Sequence, residues 1–158
     1  MFRPIRRTKR EISIEQTRQL LSDERRGVLA VNGDDGYPYA IPINFIYDEK
    51  NQKIYFHGAR AGYKYEAIKA CEKVCFTVYG NESIKKEAWA PYMQSAVVFG
   101  RCHLIDDQDH AIELVKMFAR KYFPDEKTIE DEVEAYGKTV QMFEIDIEHM
   151  SGKEIQEK

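Results

Sequence analysis

Two short runs carry the residue types that chemistry needs. His57-Gly58-Ala59-Arg60-Ala61-Gly62-Tyr63-Lys64 lies where a strand-like stretch gives way to a helix-like one, and Pro42-Ile43-Asn44-Phe45 lies in the strand before it. Small residues at a strand end leave backbone N–H groups approachable. The helix that follows aims its amino-terminal dipole at the same spot, and Arg60 and Lys64 add positive charge. That combination suits a phosphate. An ordinary turn with two solvated basic residues would read the same, and spacing alone does not separate the two. Other chemistries lack their parts. The four histidines, His57, His103, His110 and His149, show no ligand spacing, and Cys71 and Cys75 are four apart, which is not the spacing of a zinc knuckle. No metal centre is expected. No G-x-G-x-x-G opens a helix after a strand, and neither G-x-x-x-x-G-K-S/T nor G-x-S-x-G occurs. The H-x-E and P-C-x-x-C pair of a zinc deaminase is also missing.

The elements that must position these runs can be read from periodicity. Ser13 followed by Gln16 fits a capping box, and Ile14, Thr17, Leu20 and Leu21 recur at helical spacing, which predicts a helix over residues 13–24. From Gly27 the texture turns to β: GVLAVN, a turn at Gly33-Asp34-Asp35-Gly36, YPYAIPINFIY, a polar turn over residues 48–52, and KIYFHG. A short helix over residues 63–70 leads into VCFTVYG, a fourth strand ending at Gly80. A loop over residues 81–92 precedes a long fifth strand over residues 94–105. Asp106 or Asp107 caps a helix whose face carries Ala111, Ile112, Val115, Phe118, Ala119 and Tyr122 and which Pro124 ends. A polar, acidic stretch follows, and VQMFEIDIEHM closes the sheet as the sixth strand. Six strands with frequent turns and few helices argue for a small antiparallel barrel, because parallel crossovers would need a helix between each pair. Closure also removes exposed edges.

At 158 residues the sequence fits a single domain, residues 1–158, with a basic arm over residues 1–12 carrying Arg3, Arg6, Arg7, Lys9 and Arg10. The formal net charge of −3 gives no reason to expect a nucleic-acid partner, and the arm lacks interleaved aromatics. The longest apolar run, near residues 96–99, is far short of the roughly 18 residues that cross a bilayer, so no membrane association is expected. Three cysteines, an odd number in a chain without secretory features, fit reduced thiols and a cytoplasmic location.

The pattern G-V-L-A-x-x-x-x-x-G-x-P-Y-x-x-P-x-N-F from Gly27 to Phe45, followed by I-Y-F-H-x-A-x-x-G-x-K from Ile54 to Lys64, resembles the pyridoxamine-phosphate-oxidase-like superfamily, in the branch of the nitroimidazole-resistance proteins. Ser95-Ala96-Val97-Val98-Phe99-Gly100-Arg101 resembles another strand of that superfamily, and Arg10-Glu11-Ile12 resembles the segment before its first helix. The resemblance spans about residues 6–148. It implies a mainly β fold, a six-stranded antiparallel split β-barrel with flanking short helices, which dimerises with itself so that FMN sits between subunits.

On that resemblance Lys64 and Arg60 hold the FMN phosphate. Pro42, Ile43, Asn44 and Phe45 lie along the flavin through backbone groups, and His57, Gly58 and Ala59 border the ribityl-phosphate end. Ser95 and Val97, with Trp89 or Tyr92, approach the cofactor from the partner chain. Many relatives carry His between the Gly and Lys of the motif, where this chain has Tyr63, so chemistry assigned to that imidazole does not transfer. No catalytic side chain is assigned. The expectation is an FMN-dependent oxidoreductase acting on a small, flat acceptor such as a nitroaromatic. The alternative is a non-enzymatic flavin- or haem-binding protein using the same cleft, with His57 as the axial ligand in the haem case.

Overall fold

The computed structural model describes residues 1–87, 89–123 and 125–156, and of Tyr136 the backbone alone. Pro124, expected to end a helix, lies outside the described residues. The basic arm contains one 3-10 turn, Thr8–Arg10, and joins the sheet through a bridge from Glu11 to Lys153. Helix α1, Ile14–Asp23, starts at the capping box: Ser13 Oγ accepts from Gln16 N at 3.1 Å and Gln16 Oε1 accepts from Ser13 N at 3.0 Å. Its buried residues are Thr17, Leu20 and Leu21. The strands are β1 (Arg26–Asn32), β2 (Pro38–Asn44), β3 (Ile46–Asp48), β4 (Lys53–Gly58), β5 (Lys73–Lys85), β6 (Ala90–Ile105) and β7 (Gln141–Gln156). Helix α2 is Tyr63–Ala70, and α3 (Gln108–Tyr122) and α4 (Glu126–Tyr136) lie between β6 and β7.

All seven strands pair antiparallel, in the order β2-β1-β5-β6-β7-β4-β3. The two strands at the ends of that order are neighbours in the chain, separated only by Phe45. One residue therefore carries the chain from one edge of the sheet to the other, and the sheet must curl into a barrel. Alternation does the rest: in β1 the exposed and buried positions alternate, so that Leu29 and Val31 face inward. The interior is filled by Phe45, Phe56, Phe76 and Phe143, all fully buried. Phe45 meets Phe76 edge-on at 4.9 Å and Phe56 stacks on Phe143 at 4.8 Å. Each such ring contributes roughly 1.5–3 kcal/mol of burial. Leu20 and Leu21 of α1 join this cluster. A smaller one, Tyr55, Ala111, Leu114 and Met142, glues α3 to the outside of β4 and β7.

The structure corrects four boundaries. The run over residues 37–47, expected as one strand, is β2 and β3, because Phe45 turns its side chain into the core while the chain changes pairing partner; that break makes seven strands of the expected six. The loop expected over residues 81–92 is mostly hairpin, since β5 runs on to Lys85 and β6 starts at Ala90, with a bulge between Gly80 and Ser83. The acidic stretch after α3 forms α4, started by Asp125, whose side chain accepts from Lys127 N and Thr128 Oγ1. Strand β7 continues six residues past Met150, because β6 supplies partners as far as Gln156.

Candidate functional site

The end of β4 and the start of α2 come first. Gly62 caps α2 with φ 102°, a conformation that favours glycine, and offers no side chain to the helix's first N–H groups. Lys64 turns inward from the first turn: its Nζ lies 5.5 Å from the Phe56 ring centre and 5.8 Å from that of Phe143. Gly58 gives the ammonium room, since a Cβ there would stand 2.8 Å from Nζ and the flexible lysine would have to shift. Burial pulls the Lys64 pKa below that of an ordinary lysine. No carboxylate pairs with it among the described residues. Arg60 goes elsewhere, its Nη2 donating to the Lys138 carbonyl at 3.2 Å, and Ala59 is exposed. Tyr63 reaches back to the β1–β2 turn, where its hydroxyl accepts from Asp34 N at 2.6 Å and its ring packs on Tyr39 at 4.4 Å.

The Pro42–Phe45 run divides by face. Ile43 and Phe45 are core residues, Pro42 is exposed on the outer face, and Asn44 is half-buried. Strand β2 has a ladder partner, β1, on one side only. At Phe45, where neither strand continues, α3 supplies the missing hydrogen bonds. Phe45 N donates to Tyr122 Oη at 3.0 Å, and Phe45 O accepts from Tyr122 Oη at 2.9 Å and from Lys121 Nζ at 3.0 Å. Lys121 also donates to Glu24 O at 2.7 Å and sits 4.0 Å from the Phe45 ring centre. Burial and the neighbouring Arg25 bring its pKa down to about 8.

Asn44 and His57 meet in a cavity of about 280 Å³ between the barrel wall and the two helices, with Phe118 and Tyr122 from α3 and Glu132 and Val133 from α4. The His57 ring stands edge-on to Phe118 at 4.6 Å and 88°. The residue keeps an exposed face, but desolvation of the ring, then the nearby Lys64 charge, lower the His57 pKa, so the imidazole is neutral at pH 7. The cavity thus offers an apolar body with an amide, a neutral imidazole and one carboxylate.

The remaining predicted residues lie apart from this cavity within one chain. Ser95, 7% exposed, and Val97 line a separate groove of about 440 Å³ beneath the arm. Trp89 is exposed in the β5–β6 turn with φ 48°, and Tyr92 carries Lys85 Nζ 3.8 Å above its ring. Register links Pro42 to Val97 through Val28 and Thr77, three strand spacings or roughly 14 Å along the sheet.

Residues 13–154 match the family model described as pyridoxamine 5'-phosphate oxidase. The chain belongs to the pyridoxamine 5'-phosphate oxidase family. No curated protein matches it in sequence. Among solved structures, a proposed 5-nitroimidazole antibiotic resistance protein of Bacteroides thetaiotaomicron shares its fold with TM-score 0.80 and 20% identity, over 92% of this chain and 87% of that one. An FAD-binding protein of Mesorhizobium loti aligns with TM-score 0.66 and 25% identity, over 92% and 97%. An FAD- and haem-binding protein of Mycobacterium smegmatis aligns with TM-score 0.72 and 19% identity, over 89% and 70%.

The family motif residues at the β4–α2 junction fit a phosphorylated cofactor on two features of this structure, a helix start without a side-chain cap and a half-buried ammonium that pairs with no carboxylate among the described residues. Among the described residues no group of three or more His, Cys, Asp or Glu is placed to hold a metal, and no helix is long and apolar enough to cross a membrane. Sequence reasoning missed Lys121 and Glu132. Phe118 and Tyr122 were legible as a helix face, but nothing local said that this face covers Asn44 and His57. Glu132 belongs to α4, whose apolar positions are too few to signal a helix by periodicity.

Proposed function

We propose that this family member binds FMN and works as an oxidoreductase on a small, flat acceptor, nitroaromatics included, with the cofactor enclosed between two copies of the chain. The observation that carries the reading is the Lys64 ammonium, half-buried at the uncapped start of α2 and free of any carboxylate among the described residues. A phosphate monoester supplies the missing charge and accepts from the first N–H groups of α2. Arg60, released from the Lys138 carbonyl, joins it. Asn44 and the open edge of β2 lie beside the ring, His57 stays neutral, and the apolar cavity of α3 and α4 keeps water away. FMN supplies the electron transfer, and the chain's residues orient it and limit access.

Dimerisation is supported by the outer face of the sheet. Pro42, Val28, Thr77, Val97 and Ser151 form one registered row across five strands, and Ala40, Ala30, Cys75, Phe99 and His149 form the next. The rows are free of carboxylates, lysines and arginines; the arm covers their Phe99, His149, Val97 and Ser151 end, and the remainder, from Pro42 and Ala40 to Thr77 and Cys75, suits a second copy better than water. Pairing of two such faces brings Ser95, Val97, Trp89 and Tyr92 of one copy toward the β4–α2 junction of the other.

The test is the visible spectrum of purified protein, before and after adding FMN, with gel filtration at known mass. Flavin bands that co-elute with a dimer are expected. Protein that never retains FMN after reconstitution overturns the reading.

A further inference from the structure

The groove under the amino-terminal arm is not explained by the cofactor's phosphate at Lys64. The arm is tied down at both ends. Phe2 stacks on Phe99 at 5.4 Å and on His149 at 4.9 Å, while Glu11 bridges to Lys153 and Ile12 N donates to Gly152 O at 3.1 Å. Between these anchors the arm roofs the groove of about 440 Å³, a size that suits a small organic ligand. Arg6, Arg7, Arg10 and Lys153 line it against one carboxylate, Glu154, in a chain whose formal net charge is −3. Arg6, Arg7 and Lys153 form no ion pair among the described residues, and neither the Ser95 nor the Ser151 hydroxyl has a hydrogen-bond partner there. Arg6, Arg7 and Lys153 are exposed at the groove's rim, where they give it a positive mouth. Every polar side chain of the groove other than Glu154 is a donor, and guanidinium groups and hydroxyls are the donors that phosphate oxygens take.

We propose that the arm-roofed groove is a second anion site that takes a phosphorylated small molecule of the nucleoside diphosphate class, with its diphosphate among Arg6, Arg7 and Lys153 and the Ser95 and Ser151 hydroxyls. Within one copy the groove lies apart from Lys64, so ADP binding is read separately from FMN binding. The groove's ligand is either a dinucleotide form of the cofactor, reached across the interface, or a separate nucleotide that shares the flavin's cleft, and both sources rest on the proposed flavin reading.

Calorimetric titration of the full chain with ADP and with inorganic pyrophosphate tests this. Binding that weakens at least tenfold in Arg6→Ala/Arg7→Ala and in Lys153→Ala, weakens with added salt, and is unchanged in Lys64→Ala is the expected result. Repeating the titration on FMN-loaded and FAD-loaded protein separates the two sources. Loss of ADP binding with FAD alone assigns the groove to the dinucleotide, and retention with both assigns it to a free nucleotide. Affinity unaffected by the arm and Lys153 substitutions, or abolished by Lys64→Ala, overturns the proposal. Thermal melts of the arm variants check the fold, which is expected to stay intact because Arg6 and Arg7 are exposed.

Discussion

The hydroxyl of Tyr122 holds both main-chain groups of Phe45, accepting from its N–H at 3.0 Å and sharing its proton between the carbonyl oxygens of Phe45, at 2.9 Å, and Arg25. The barrel passes from its first edge to its last at this residue, so a side chain stands in for a strand there.

Tyr122→Phe keeps the ring, which stacks on Phe118 at 4.9 Å, and deletes that hydroxyl. The Phe45 N–H and the Arg25 carbonyl lose that partner at a part-buried seam, while the Phe45 carbonyl keeps Lys121. The expected loss is about 1–3 kcal/mol in urea denaturation. An unchanged midpoint would mean that water serves the seam equally well.

Lys121 gives the seam a pH dependence. Its folded pKa of about 8 lies below the ordinary lysine value, so between about pH 8 and 10 the unfolded chain binds the proton that the folded chain has released. This group therefore makes stability rise with pH across that window, and its cost is fully present below it. Melting temperatures of wild type and Lys121→Met, taken at pH 7, 8 and 9.5, should converge or cross as pH rises. Parallel curves would place the titration elsewhere.

Much of this was readable in advance. Local signals were strong where they were self-contained: the Ser13–Gln16 box, the alternation in β1, and the helix opened by Asp107 all appear where their residues put them. The run that ends in Phe45 was harder. Its alternation is that of one continuous strand, and only the closing of the barrel, a non-local event, decides that Asn44 still pairs with Arg26 while Ile46 pairs with Tyr55. The candidate site shows the same limit. Gly58 and Lys64 form a local unit, whereas the meeting of His57 with Phe118 depends on α3 folding back across some 60 residues of sequence.

Lys64→Ala separates phosphate from ring recognition. FMN affinity should fall about ten- to a hundredfold, the worth of a charged hydrogen bond, and riboflavin affinity should hardly change. Fluorescence quenching titrations with the two flavins measure both. Equal losses for both would place the lysine beside the ring instead.

Gly100 tests the β6–β7 bulge. A Cβ there would collide with the Asp146 carbonyl oxygen, a backbone atom that cannot swing aside. Gly100→Ala should cost about 1–3 kcal/mol of stability, read by thermal melting, and leave the flavin spectrum intact in the fraction that folds.

Strand β7, the last of the seven to be synthesised, lies between β6 and β4 in the interior of the sheet order. Lys53 waits for Asp146 and Tyr55 for Glu144, so the barrel cannot close before β7 has been made. Until then β4 and β6 each present an unpaired edge, the kind of edge through which incomplete sheets pair with neighbouring chains.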